Sequence, residues 1–287
     1  MLQRQIARVV TLDPPAPGFL GRGHTAVEVL DAEDLVGNDP FVLLMDDRVD
    51  VGPTKRQMGG AHPHAGLETV TFVLEGHSTD HDEGDAGAGD VQWMTAGRGI
   101  IHSENVEMQG KVRVLQLWVR LPARDRSVAP RVQLITGKDA PRRVENGAVA
   151  VVYSGSSGAL RSPTLNHAPV TLVDFQLQAG ASIDQVLPAS YNGFLLVLDG
   201  SIVVGDRTIT SGQTGWLDRP AGDDDSVLVV AGGPQGGRAV LYSGAPQNEP
   251  TMQHGPFVAG DEAELVGLYK AFRGGGFVRL SELAHSR

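Results

Sequence analysis

Cysteine is absent from the 287-residue chain, which excludes disulfide frameworks, zinc fingers and thiol catalysis and fits a reducing cytoplasm. No apolar run approaches the roughly 18 residues of a membrane-spanning helix. The opening Met1-Leu2-Gln3-Arg4-Gln5 also lacks the apolar stretch of a signal peptide, so a soluble cytoplasmic protein is expected. Positive charge is scarce, with 24 Lys and Arg against 34 Asp and Glu and a net charge of −10. Such a surface repels phosphate backbones, and Arg142-Arg143 and Arg124-Asp125-Arg126 are too short and too diluted by acids to form a basic patch. Direct binding to nucleic acid is not expected. The chain holds no phosphate loop of the G-x-x-x-x-G-K-[ST] type and no G-x-S-x-G nucleophile elbow. The acidic stretch from Asp80 to Asp85 lacks the ligand spacing of an EF-hand.

Glycine and proline, by contrast, are plentiful at 37 and 17 residues, which suits many short strands joined by turns. Val70–Leu74, Val112–Val119, Thr171–Leu177, Phe194–Leu198, Val227–Ala231 and Ala239–Tyr242 are apolar, β-branched runs bounded by turn residues. Two of them repeat. Phe72-Val73-Leu74-Glu75-Gly76 recurs as Leu196-Val197-Leu198-Asp199-Gly200, and Gly89 to Trp93 is echoed by Gly212 to Trp216 at nearly the same offset. A duplicated β-domain is expected, with a linker within Pro122–Pro141. The one clear helix is Asp261–Arg273, where Leu265, Leu268, Tyr269 and Phe272 fall at helical spacing. Asp261 caps its start, Gly274 stops it, and its apolar stripe is expected to pack on a barrel.

Five of the nine histidines lie between positions 62 and 102. On a strand, residues i and i+2 share a face, so His62 and His64 reach one ion, and so do His102 and Glu104. Two such pairs on neighbouring strands give three imidazoles and one carboxylate. Without thiolate, that donor set suits Fe(II), Mn, Co, Ni, Cu or Zn, and four protein ligands leave open positions on an octahedral ion. His77 and His81, within the polar stretch from Ser78 to Asp85, belong to an exposed loop or hairpin instead.

The stretch from His62 to Gly76 and the block Gly89-Asp90-Val91-Gln92-Trp93-Met94-Thr95-Ala96-Gly97-Arg98-Gly99-Ile100-Ile101-His102-Ser103-Glu104 together resemble the pirin family of bicupins. Glu249-Pro250 and Gly255-Pro256-Phe257-Val258 extend the resemblance into the second half. It implies an all-β fold of two cupin barrels face to face with a short C-terminal helix. The expected division is a metal-binding cupin at 1–130 and a degenerate cupin at 131–287. The resemblance implies Fe(II) held by His62, His64, His102 and Glu104. Cupins commonly take a Glu five residues after the second His. Thr69 stands there in this chain, so Glu104 supplies the carboxylate, and Glu68 either supports the ligands from behind or is structural. Displaced by 123–124 residues, the ligand positions fall near Val186, Pro188, Asp225 and Val227, none of them an imidazole.

Similarity to pirins further implies dioxygenase chemistry on quercetin-like flavonols, with Glu104 as the catalytic residue that assists deprotonation of the substrate hydroxyl. The other function the resemblance implies is a metal-dependent regulator that binds a transcription factor or a metabolic enzyme. The chain departs from the family at three places. Ala65 and Leu67 replace an Arg and an aromatic, the loop from Gly76 to Gly89 is short, and Asn105-Val106 replaces Met-Pro. All three are expected at the rim of the cavity.

Overall fold

The computed structural model describes residues 1–80, 84–103, 106–220, 222 and 224–283. Two compact β-units divide the chain, and both contain strands distant in sequence. The first, which carries His62, His64 and His102, comprises 14–37, 41–138 and 247–287; the second comprises 1–13, 38–40 and 139–246. The expected cut between 130 and 131 is therefore corrected at three places. Arg131–Ile135, in the expected linker, is a strand paired with Val91–Thr95 of the histidine barrel. The N-terminal strand Ile6–Thr11 pairs with Gln213–Leu217 of the second barrel. The C-terminal segment returns to the first unit, where Phe257 and Ala259 pack with Ala65, Leu265 and Phe277. Backbone pairing, which local composition does not report, assigns all three segments.

The histidine barrel is built on a seven-stranded antiparallel sheet. Its middle runs Val91–Thr95, Leu67–Glu75, Lys111–Arg120, Phe41–Asp50, His24–Glu28. The polar stretch after Gly76 is a hairpin of His77–Asp80 with Gly84–Gly87. The second barrel is a ten-stranded sheet around a core that includes Val173, Phe175, Leu195, Leu228 and Leu241. The helix runs Glu262–Arg273, and the Asp261 side chain accepts from the Glu264 N–H at 2.8 Å. Its Leu268, Tyr269 and Phe272 pack on the Phe257 cluster, as the stripe predicts.

Register supports the duplication. Trp93 lies opposite Val70 as Trp216 lies opposite Phe194, and both indoles are buried. A second shared device is not visible as a motif. In the histidine barrel, Asp46 accepts two hydrogen bonds from Arg113, both 2.8 Å, and one from Arg48, two residues on, at 2.6 Å. In the second barrel, Asp174 accepts two from Arg238, both 3.0 Å, and one from Gln176, again two residues on, at 3.0 Å. Each buried carboxylate needs such a fork, because an ion in an apolar sheet is costly unless paired and hydrogen-bonded.

Candidate metal centre

The strands Ala61–His64 and Ile100–Ser103 pair antiparallel, with His62 opposite His102 and His64 opposite Ile100. Alternation places His62, His64 and His102 on one face, and their nearest ring nitrogens lie within 4.8 Å of one another. The rings of His62 and His102 are 4.3 Å apart, and His64 lies 4.9 and 5.0 Å from them. His62 Nδ1 donates to the Gly60 carbonyl at 2.9 Å, which turns its Nε2 towards His102 Nε2, also at 2.9 Å. Two ligands at right angles on an ion about 2.1 Å from each would stand about 3 Å apart. The donor set and its spacing therefore fit a single divalent ion. Burial, then the neighbouring His102 and His62, push the His64 imidazole well below its ordinary pKa. His64 is neutral at physiological pH, which is the form that ligates metals.

Glu104 lies outside the described residues, as does His81. Glu68 is wholly buried and accepts from the Thr95 hydroxyl at 2.8 Å. His77 is on the exposed hairpin, 3.9 Å from Asp85 and away from the three imidazoles. The expectation for Ala65 and Leu67 is corrected, because neither reaches the cavity. Ala65 packs against Phe257, and Leu67 against Val42 and Met94. Gly66, with φ of +76°, makes the bend between them, and a Cβ there would meet the Val258 carbonyl.

His62 and His64 line a cavity of about 920 Å³ inside the barrel, walled chiefly by apolar side chains. Trp118 meets His64 edge-on at 5.0 Å. The pirin family model matches residues 26–119, and the model for the pirin C-terminal cupin domain matches 172–278. A pirin-like protein of Solanum lycopersicum is 35% identical over 90% of this chain and 89% of its own. This chain belongs to the pirin family. Human pirin is 34% identical over 84% of this pirin and 83% of its own length. The crystal structure of a quercetin 2,3-dioxygenase from Acinetobacter baumannii matches with a TM-score of 0.84 and 26% identity, covering 96% and 98% of the two chains. Both barrels of this pirin are thus cupin domains.

Its second barrel shows what replaces the histidines. Val186 and Val227 pair with each other, as do Pro188 and Asp225, but these side chains are half-buried or exposed. The buried counterparts lie one residue away. Leu187 faces Ser226 as His62 faces His102, and Ala189 takes the place of His64. Pro188 then matches Pro63. A one-residue slip flips a strand's faces, so the sequence offset alone selects the wrong residues. The buried Arg4 occupies this place. Its Nε donates to Ser226 Oγ at 2.9 Å, and Nη2 donates to the carbonyls of Pro188, Ala189 and Tyr191 at 2.7, 3.0 and 2.8 Å. Nη1 donates to the Asp218 carbonyl.

Sequence reasoning missed one polar pair, of which Asp47 lines the cavity and His24 lies behind it. His24 Nε2 and Asp47 Oδ1 are 2.7 Å apart, and the imidazole is buried. The residues are 23 positions apart and form no motif; the pairing of His24–Glu28 with Phe41–Asp50 brings them together.

Proposed function

We propose that this pirin binds one divalent ion, Fe(II) in the cytoplasm, through His62, His64, His102 and Glu104. On this reading it is a dioxygenase for a quercetin-like flavonol or a related hydroxylated aromatic. The observation that carries the reading is the convergence of three imidazoles, two of which, His62 and His64, line a large apolar cavity. The name of the Acinetobacter structure, quercetin 2,3-dioxygenase, supports the same reaction class. When bound, the metal supplies Lewis acidity and open positions for substrate and dioxygen. The protein's own groups do the rest. The bond from His62 Nδ1 to Gly60 fixes that ring's tautomer and direction. Trp118, Leu43 and Met45 exclude water beside the reacting ring. The Glu104 carboxylate takes the proton from the substrate hydroxyl, leaving an electron-rich oxyanion.

Mn, Co, Ni, Cu and Zn compete for the same ligands, so metal content is the first measurement. Elemental analysis is expected to find about one ion per wild-type chain and near none in His102→Ala, with the β-sheet circular dichroism spectrum retained. Full metal content in His102→Ala would refute the site. Aerobic incubation with quercetin is expected to give a metal-dependent ring-cleavage product, and its absence from the iron-, nickel- and copper-loaded protein would refute the dioxygenase.

A further inference from the structure

The cavity has a polar far end that the reading above leaves unused. Phe41–Asp50 and Lys111–Arg120 pair in register, and alternate residues of both line the cavity. Leu43 faces Trp118, Met45 faces Gln116, Asp47 faces Val114 and Val49 faces Val112. Trp118 touches His64, and Val114 lies four residues further along, about 13 Å at the rise of a strand. Between these ends, Gln116 is already bonded to Thr71 at 2.7 Å. The wall beyond is apolar, with Met58 and Met108.

Asp47 is held for acceptance. The Leu20 N–H donates to His24 Nδ1 at 3.1 Å, which leaves Nε2 as the protonated nitrogen that donates to Asp47. The His24 ring is seated against the Gly18 backbone, where a Cβ would collide with it. Glu28 also lines the cavity, and among the described lining residues there is no Lys or Arg. A carboxylate in an apolar wall favours a hydrogen-bond donor and repels an anion.

We infer that the cavity selects a two-ended ligand. One end is an oxygen group at the histidines; the other is a phenol or amine donor that meets Asp47, with His24 as the residue that positions the carboxylate. The first end rests on the metal-site reading above, and the second on the strand register.

The test is anaerobic equilibrium binding to the metal-loaded protein, followed by quenching of tryptophan fluorescence, so that turnover is not the readout. Quercetin carries distal phenols. 3-Hydroxyflavone keeps the chelating hydroxyl and no other donor, and a sulfonated quercetin adds a negative charge. Wild type is expected to bind quercetin about tenfold tighter than 3-hydroxyflavone, the worth of one hydrogen bond to a charged group. It is expected to bind the sulfonate about tenfold more weakly than quercetin. Asp47→Leu should erase the first preference, Asp47→Asn should erase the rejection of the sulfonate, and His24→Gln should weaken both by a smaller factor. Equal affinities in wild type overturn the inference, as does an unchanged ratio in Asp47→Leu with its metal retained. The wild-type arm decides even if a variant fails to fold. An unchanged ratio with quercetin turnover intact sinks this inference alone. An Asp47-dependent ratio without metal-dependent turnover sinks the dioxygenase alone.

Discussion

At matching positions of the two barrels, one strand pair presents His62, His64 and His102, and the other presents Leu187, Ala189 and Ser226. Both pairs hold back from a fully apolar interior, but they satisfy the polar requirement differently. The histidine barrel converges three imidazoles on one point and leaves a cavity beside them. The second barrel draws in Arg4, just ahead of the strand Ile6–Thr11, and its guanidinium donates to four backbone carbonyls and one hydroxyl. A duplicated scaffold thus tolerates either a ligand set or a cross-link at one place. The difference lies in which side chains face inward, while the sheet pairing is kept.

The comparison breaks most visibly at Arg4. Arg4→Met leaves four carbonyls without their donor in a buried setting, at about 1–3 kcal/mol for each acceptor that water cannot reach. A loss of about 3 kcal/mol or more is expected, seen as a lower denaturation midpoint in urea, while metal content per folded chain stays near one. Wild-type stability in Arg4→Met would mean that the guanidinium is not what closes the second barrel.

A smaller effect tests whether the shared carboxylate device is equivalent in both halves. Arg113→Met and Arg238→Met each strip the fork from a buried aspartate, Asp46 or Asp174. Each is expected to lose about 2 kcal/mol, since charged hydrogen bonds of this kind contribute about 1.5–3 kcal/mol. Unequal losses by urea denaturation would show that the duplication kept the geometry but not the energetics.

The smallest effect is the acid response. Burial alone would raise the Asp46 carboxyl, but hydrogen bonds from Arg113 and Arg48 outweigh it and hold the group below the usual carboxylate range. Because the folded value lies below the unfolded one, this contribution is complete above about pH 4. It fades as the pH falls through the folded value. Arg113→Met is therefore expected to show a shallower stability loss than wild type below about pH 4, measured by thermal melts from pH 6 downward. A slope identical to wild type would rule out Asp46 as a contributor.

The amino-acid sequence by itself determined the β class, the duplication, the helix with its Asp261 cap, and the three histidines. These are encoded in spacing: period two on a strand, 3.6 on a helix, and a recurring Gly-to-Trp interval. The structure decided what depends on pairing between distant segments. It gave the first and last stretches of chain to barrels that sequence order does not suggest. It placed Arg4 at the position that the histidines hold in the other half. Ala65 and Leu67 were moved off the cavity because Gly66 bends the backbone between them. Strand register brought His24 to Asp47, since a hydrogen bond across neighbouring strands leaves no periodic trace in either one.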